Sequence, residues 1–275
     1  MPARYPERIV CLTEESTETL YLLGEERRIA GISGYTVRPA RARREKPRVS
    51  AFLSAKTDKI LALRPDLVVG FSDLQADIAR DLTKAGLNVM IFNQRSVDEI
   101  LSMILTLGAI VGAPEKGRVL VERLEAGLAE IRAAASRFPR RPKVYFEEWD
   151  EPMISGIRWV SELVEIAGGE DVFSELSTSQ AASGRIVADP ALVIERQPEV
   201  MLASWCGKKF RPERVAARPG WDALPAVRDE QLFEIKSAEI LQPGPAALTD
   251  GVRRIHEILR DSLSRGGRIR RSGGA

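Results

Sequence analysis

The stretch "KILALRPDLVVGFSD", Lys59 to Asp73, reads as an apolar-faced helix, a proline followed by an acid, and then a buried strand that ends on an aromatic turn. The same grammar returns in "ALVIERQPEVMLASW", Ala191 to Trp205, with Pro65 and Pro198 standing 133 positions apart. A second pair supports the first. "ETLYLLGEERRIAGIS" is echoed by "SELVEIAGGEDVF", which places Gly24 and Gly168 144 positions apart. Repetition of a whole helix–strand unit at long spacing predicts two lobes of like construction.

Short β-rich runs alternate with helical patterns outside these stretches: "RIVCL" (8–12), "IAGIS" (29–33), "VMIF" (89–92), "KVYFEE" (143–148) and "LFEI" (232–235). Such alternation predicts an α/β class with Rossmann-like parallel sheets. Ser72 with Gln75, and Ser96 with Glu99, have capping-box spacing, while Gly24 and Gly86 stand where helices should stop. Residues 96–138 read as helical with a break at "GAPEK". The part from Glu115 to Phe138 would extend roughly 35 Å at about 1.5 Å per residue. The expected organisation is an N-terminal lobe over 1–95, a linking helix over 96–138 and a C-terminal lobe over 139–275. A ligand cleft is expected between the lobes, with modest closure because a helical strut has few soft dihedrals.

Composition narrows the function. With 41 basic and 39 acidic residues the net charge is +2, so no global field draws the chain to nucleic acid or an anionic membrane. The basic stretch "RPARARREKPR" (38–48) reads as a solvated loop, and the tail "RGGRIRRSGGA" from Arg265 as a frayed end. No apolar run approaches the 18 residues that a membrane span needs. The opening "MPARYPERIVCLTEE" has neither the apolar region nor the small-residue cleavage site of a secretory signal. A cytoplasmic location is therefore expected, with a periplasmic or cell-surface one only if a leader has been removed. A monomer is expected.

Catalytic signatures are sparse. The single histidine, His256, lies beside the apolar face of a terminal helix, which removes histidine triads and histidine zinc sites from contention. Phosphate-cradling glycine motifs are missing, and the two cysteines, Cys11 and Cys206, have no metal or disulfide spacing. Glu147 with Glu148, and Asp150 with Glu151, suggest acid/base pairs, but neighbours in a strand point to opposite faces. No catalytic residue, catalytic cofactor or metal site is expected.

What accumulates instead, at the carboxyl ends of strands, is aromatic and soft: Tyr35, Phe71, Trp149, Met153 and Trp205. Ligands of open α/β sheets bind outside those ends. Walls of this kind suit a large, planar, partly apolar molecule, each stack adding about 0.5–1.5 kcal/mol beyond area burial.

These residues also carry a resemblance. The order "RIVCLTEESTETLYLLG", "IAGISGYTVRP", "PRVSAFLSAKTDKILALRPDLVVG", "GLNVMIF", "DEPMISGIRWVSELVEIAGGEDVF" and "LQPGPAALTDGV" resembles the vitamin B12-binding branch of the helix-linked (class III) substrate-binding proteins, which serve ABC importers of B12 and iron complexes. The likeness covers nearly the whole chain. It implies a periplasmic binding protein-like fold and cobalamin, or a related corrinoid, as ligand. Tyr35, Phe52 and Phe71 of the first lobe would face Met153, Trp205 and Trp159 of the second, with Ser155 and Gly156 admitting the ligand close to the backbone. It also implies docking to an importer permease through one surface acid on each lobe. The first falls near Ala76 and Asp77, whereas the second falls on Leu241, which is not an acid.

Within "ASWCGKKF" (203–210), Trp205 would be a stacking wall, Gly207 a close turn, and Lys208 or Lys209 a contact for a propionamide or phosphate. Cys206 has three open readings: a small loop residue, a soft axial ligand to cobalt, or a reactive thiol. The alternatives to a corrinoid binder are a ferric siderophore or haem binder, for which Arg158 and Arg185 are the candidate cations, and a Cys206-dependent enzyme acting on a corrinoid or small metabolite.

Overall fold

The computed structural model describes residues 5–272, with side chains to residue 264. Ten strands form two five-stranded sheets: β1 (Ile9–Cys11), β2 (Ile29–Ser33), β3 (Arg48–Ser50), β4 (Leu67–Phe71) and β5 (Val89–Phe92) in the first, and β6 (Lys143–Asp150), β7 (Met153–Ser155), β8 (Glu170–Asp171), β9 (Val200–Ala203) and β10 (Leu232–Glu234) in the second. The first sheet runs β3-β2-β1-β4-β5 and is parallel throughout. The second runs β10-β9-β6-β7 with β8 beside β6. It departs from the expected parallel pattern at one place: β7 is antiparallel to β6, pairing Asp150 with Met153. Only two residues separate these strands, too few for the crossover a parallel pair requires.

The repeat read from sequence has a backbone counterpart. Each copy passes from helix to strand through a left-handed residue just before its proline, Arg64 (φ 47°) in one and Gln197 (φ 51°) in the other. A left-handed non-glycine residue is uncommon, and here it turns the chain where a helix cannot continue into X-Pro.

The chain divides into two compact units. One comprises residues up to Glu125 together with Gln242–Ala246, and the other holds Ala126–Leu241 and the residues from Ala247 onward. The boundary falls inside the helix Pro114–Ala135. Within the first unit, apolar β1 and β4 are buried at the centre of the sheet, and Val10, Leu12, Val49, Ile60, Val68 and Leu82 form a core cluster. Within the second, Tyr145, Phe173, Met201, Trp205 and Trp221 belong to one cluster, with Tyr145 edge-on to both Phe173 and Trp221.

Ser96 and Glu99 form a reciprocal capping box, and Gly24 and Gly86 have the positive φ of helix stops. Ser72 and Gln75 do not form a box: Ser72 accepts from Leu74, and the Gln75 amide is used elsewhere. The stretch 38–48 is more structured than a solvated loop. It holds a helical turn, Ala42–Glu45, and Arg41 lies 4.7 Å above the Tyr21 ring. The basic tail from Arg265, expected to be frayed, continues the helix Val252–Ser272; its side chains and residues 273–275 lie outside the described residues. No helix among the described residues is long and apolar enough to cross a membrane.

Candidate functional site

In a parallel sheet the loops that leave the carboxyl ends of the strands are free to diverge, and here they are tied into a rim. Gly34 donates to Ser50 O at 2.7 Å, joining the loop after β2 to the end of β3. Gln75, fully buried, accepts from the Phe71 amide at 3.0 Å and donates to Phe52 O at 2.9 Å, joining the loop after β4 to the loop after β3. On this rim four apolar side chains stand in solvent: Tyr35 (64% exposed), Val37 (38%), Leu53 (67%) and Leu74 (61%). Exposed apolar side chains along one edge of a unit make that edge a candidate binding surface. Phe52 is half-buried beside Leu53, and Phe71 is buried beneath the Arg95 guanidinium, 4.8 Å from its ring. Arg95 in turn bonds Asp73 at 3.1 Å.

The central strand β1 leads into the helix Glu14–Leu22, whose first turn carries acids. Glu14 and Glu15 are both buried. Burial pushes the Glu14 carboxyl up to about 8 and the Glu15 carboxyl up to about 7. Glu18, on the next turn, holds Arg38 at 2.9 Å and accepts from the Ala246 amide at 3.0 Å.

The corresponding edge of the second unit is built differently. Glu147, wholly buried in β6, accepts from Trp205 Nε1 at 3.0 Å, from the Tyr145 hydroxyl at 3.0 Å, and from both Arg218 nitrogens at 2.7 and 2.9 Å. This saturates a charge that would otherwise be costly to bury. The arrangement corrects the reading of Trp205 as a stacking wall. Its indole is 3% exposed, edge-on to Phe210 and anchored in the core. Trp159 is likewise a core residue, 3% exposed and donating to Ile240 O at 2.8 Å. Gly156 faces Phe146 and Val160 rather than open space, and the Ser155 hydroxyl is turned to Arg185 O at 3.1 Å.

What remains open on this edge is a recess of about 330 Å³ lined by Asp150, Met153, Ile186, Val187, Arg218 and Pro219. Beside it Lys208 lies 4.1 Å from the half-buried Trp149 ring and pairs with Asp150. Cys206 is exposed in the loop with Gly207 (φ 80°). Its thiol is shifted up by burial and by Glu148, away from thiolate at neutral pH. Arg185 is buried against Glu148, and Arg158 pairs with Glu162 at 2.8 Å. Neither is presented as an anion receptor.

Sequence reading missed Leu53, Leu74 and Gln75, whose signal is only their position just beyond strands. It also missed Glu14 and Glu15, whose signal is two acids directly after a buried strand. His256, half-buried beside the apolar face of its helix, bonds the Ala167 carbonyl at 3.0 Å and stacks on Phe138. No group of metal-ligating side chains occurs among the described residues.

A two-unit α/β chain with its apolar rim at the carboxyl ends of parallel strands is a binding architecture. The chain belongs to the periplasmic binding protein family, whose model matches residues 9–239. It is 26% identical over 248 residues to a vitamin B12-binding protein of Vibrio parahaemolyticus, covering 88% of this chain and 86% of that one. Among solved structures it is similar to the periplasmic vitamin B12 binding protein BtuF of Vibrio cholerae (TM-score 0.73, 23% identity, 94% and 98% of the two chains). It is also similar to the periplasmic heme-binding protein RhuT of Roseiflexus sp. RS-1 (TM-score 0.75, 24% identity, 92% and 99%). The protein is thus a substrate-binding protein and not an enzyme. These findings overturn the expectation of a cytoplasmic protein, since the family is that of periplasmic binding proteins and the two similar solved structures are of periplasmic proteins. The first residues of a chain do not report its compartment when a leader can be removed.

Proposed function

We propose that this protein binds cobalamin or a related corrinoid as the substrate-binding component of an ABC importer. The observation that carries this reading is the exposed rim of Tyr35, Val37, Leu53 and Leu74, which offers a broad apolar face to a planar ring. Phe52 and Phe71 support that rim from below, and on the second unit Trp149, Met153 and Cys206 are the side chains left near an opening. The likeness to vitamin B12-binding relatives over most of the chain supports the same ligand. Docking to a permease would use Asp77, whose side chain is 84% exposed and bonded to Arg80 at 2.6 Å; Leu241 supplies no second acid.

Haem is the second reading. Tyr35 favours it, because an exposed phenol at the rim offers an oxygen to ferric iron. Titration of the purified protein with cyanocobalamin and, separately, with haemin decides between them. A corrin-band shift with tryptophan quenching at micromolar ligand or below is expected. Silence toward cyanocobalamin together with saturable haemin binding would replace the corrinoid by haem.

A further inference from the structure

Four buried oxygens beyond the carboxyl ends of β1, β2 and β5 lack hydrogen-bond partners: Glu14 Oε1, Glu15 Oε2, Thr36 Oγ1 and Gln94 Oε1. Their residues are between 0 and 4% exposed, so bulk water does not serve them. They also belong together. The Val37 amide, next to Thr36, is hydrogen-bonded to Glu14. Gln94 donates its amide nitrogen to Pro243 O at 2.9 Å, and the adjacent Gly244 lies so close to Glu15 that a Cβ there would meet the Glu15 Cβ at 2.5 Å. The other Glu15 oxygen is taken by the Thr13 hydroxyl.

Three of the four oxygens belong to carboxyl or amide groups; burial keeps much of Glu14 and Glu15 protonated at neutral pH, and in their ionised form, which a ligand donor stabilises, both carboxyl oxygens accept. A buried acceptor without a donor costs about 1–3 kcal/mol. The cations at hand make their ion pairs with other acids, Arg38 with Glu18 and Arg95 with Asp73, and Arg38 reaches Glu14 through charge. The chain therefore brings acceptors together without the donors they require. The neighbouring turn carries the exposed Tyr35 and Val37, so the cluster adjoins the apolar rim.

We infer that Glu14, Glu15, Thr36 and Gln94 form a subsite for hydrogen-bond donors of the ligand, selecting a macrocycle edged with primary amides over one edged with carboxylates. This rests on the corrinoid reading above and deepens it. A corrin ring carries acetamide and propionamide side chains, whose NH2 groups donate to these oxygens. A haem propionate, or a carboxylate-rich siderophore, brings more acceptors and negative charge against two acids. Such a site rejects the wrong ligand by leaving buried polar groups unpaired.

The test is calorimetric titration at pH 8 with cyanocobalamin and with its three monocarboxylic acids, in which the b, d or e side-chain amide is hydrolysed. Wild-type protein is expected to bind at least one acid tenfold or more weakly than cyanocobalamin. In Glu14→Gln/Glu15→Gln that gap is expected to shrink below threefold; if the double variant does not fold, Glu14→Gln alone is expected to narrow it. All three acids binding within threefold of cyanocobalamin in wild type would overturn the subsite while leaving the corrinoid reading intact. A gap that persists unchanged in the folded variant would overturn it too. Failure of every corrinoid to bind would overturn both.

Discussion

Trp205 Nε1 lies 3.0 Å from Oε1 of Glu147, a carboxylate with no exposed surface, so the indole is a structural donor to a buried charge. Trp205→Phe keeps much of the apolar volume and removes the donor. Loss of a hydrogen bond to a charged group costs roughly 2 kcal/mol, which for a chain of this size lowers Tm by about 4–8 °C. Differential scanning calorimetry of the unliganded protein checks this. A Tm within about 1 °C of wild type would mean that Glu147 is satisfied without the indole.

The first-unit rim allows a cleaner test of binding. Leu53 and Tyr35 are 67% and 64% exposed, so Leu53→Asp and Tyr35→Ala should leave Tm nearly unchanged. Each is expected to weaken cyanocobalamin about tenfold, or ~1.4 kcal/mol. Equal affinity in both variants would remove this edge from the site.

Cys206 is exposed, yet its thiol is held up by burial and by the nearby Glu148 carboxylate. A protonated thiol is a poor ligand and a poor nucleophile. Cys206→Ser is therefore expected to bind hydroxocobalamin within twofold of wild type, with the same visible spectrum. Disappearance of a spectral shift in the variant would identify sulfur coordination to cobalt.

The acids after β1 set a pH dependence of stability. Burial raises Glu14 to about 8 and Glu15 to about 7, above an unfolded value near 4.5. The groups that act on Glu14 are the Val37 amide, Glu18, Glu15 and Arg38, and those that act on Glu15 are the Thr13 hydroxyl, its own backbone amide and Glu18. The folded state then holds more protons than the unfolded one, so this contribution is complete below about pH 4.5 and is lost as pH rises toward 8. Glu14→Gln/Glu15→Gln should narrow the Tm difference between pH 5 and pH 8 by at least about 3 °C. An unchanged difference would mean that both carboxyls titrate as exposed ones.

The class of fold was legible because it is written in local pattern. The repeat around Pro65 and Pro198, the strand runs and the Ser96–Glu99 cap depend only on near neighbours in sequence. For the candidate site, strand ends can be located from sequence but exposure cannot. Trp159 and Trp205 have the composition of ligand walls, and what buries them are partners 81 and 58 positions away, the Ile240 carbonyl and Glu147. Conversely Leu53 and Leu74 have the composition of core, and only the tied loops place them in solvent. The antiparallel β7 escaped because its few residues carry no period of their own.

The return of Gln242–Ala246 to the first unit makes that unit discontinuous in the order of synthesis. Glu18 waits 228 positions for the Ala246 amide, and Gln94 waits 149 for Pro243. A fragment cut at Glu125 would lack both. The amino-terminal half thus emerges from the ribosome as an unfinished body, completed only when Gln242–Ala246 have been made.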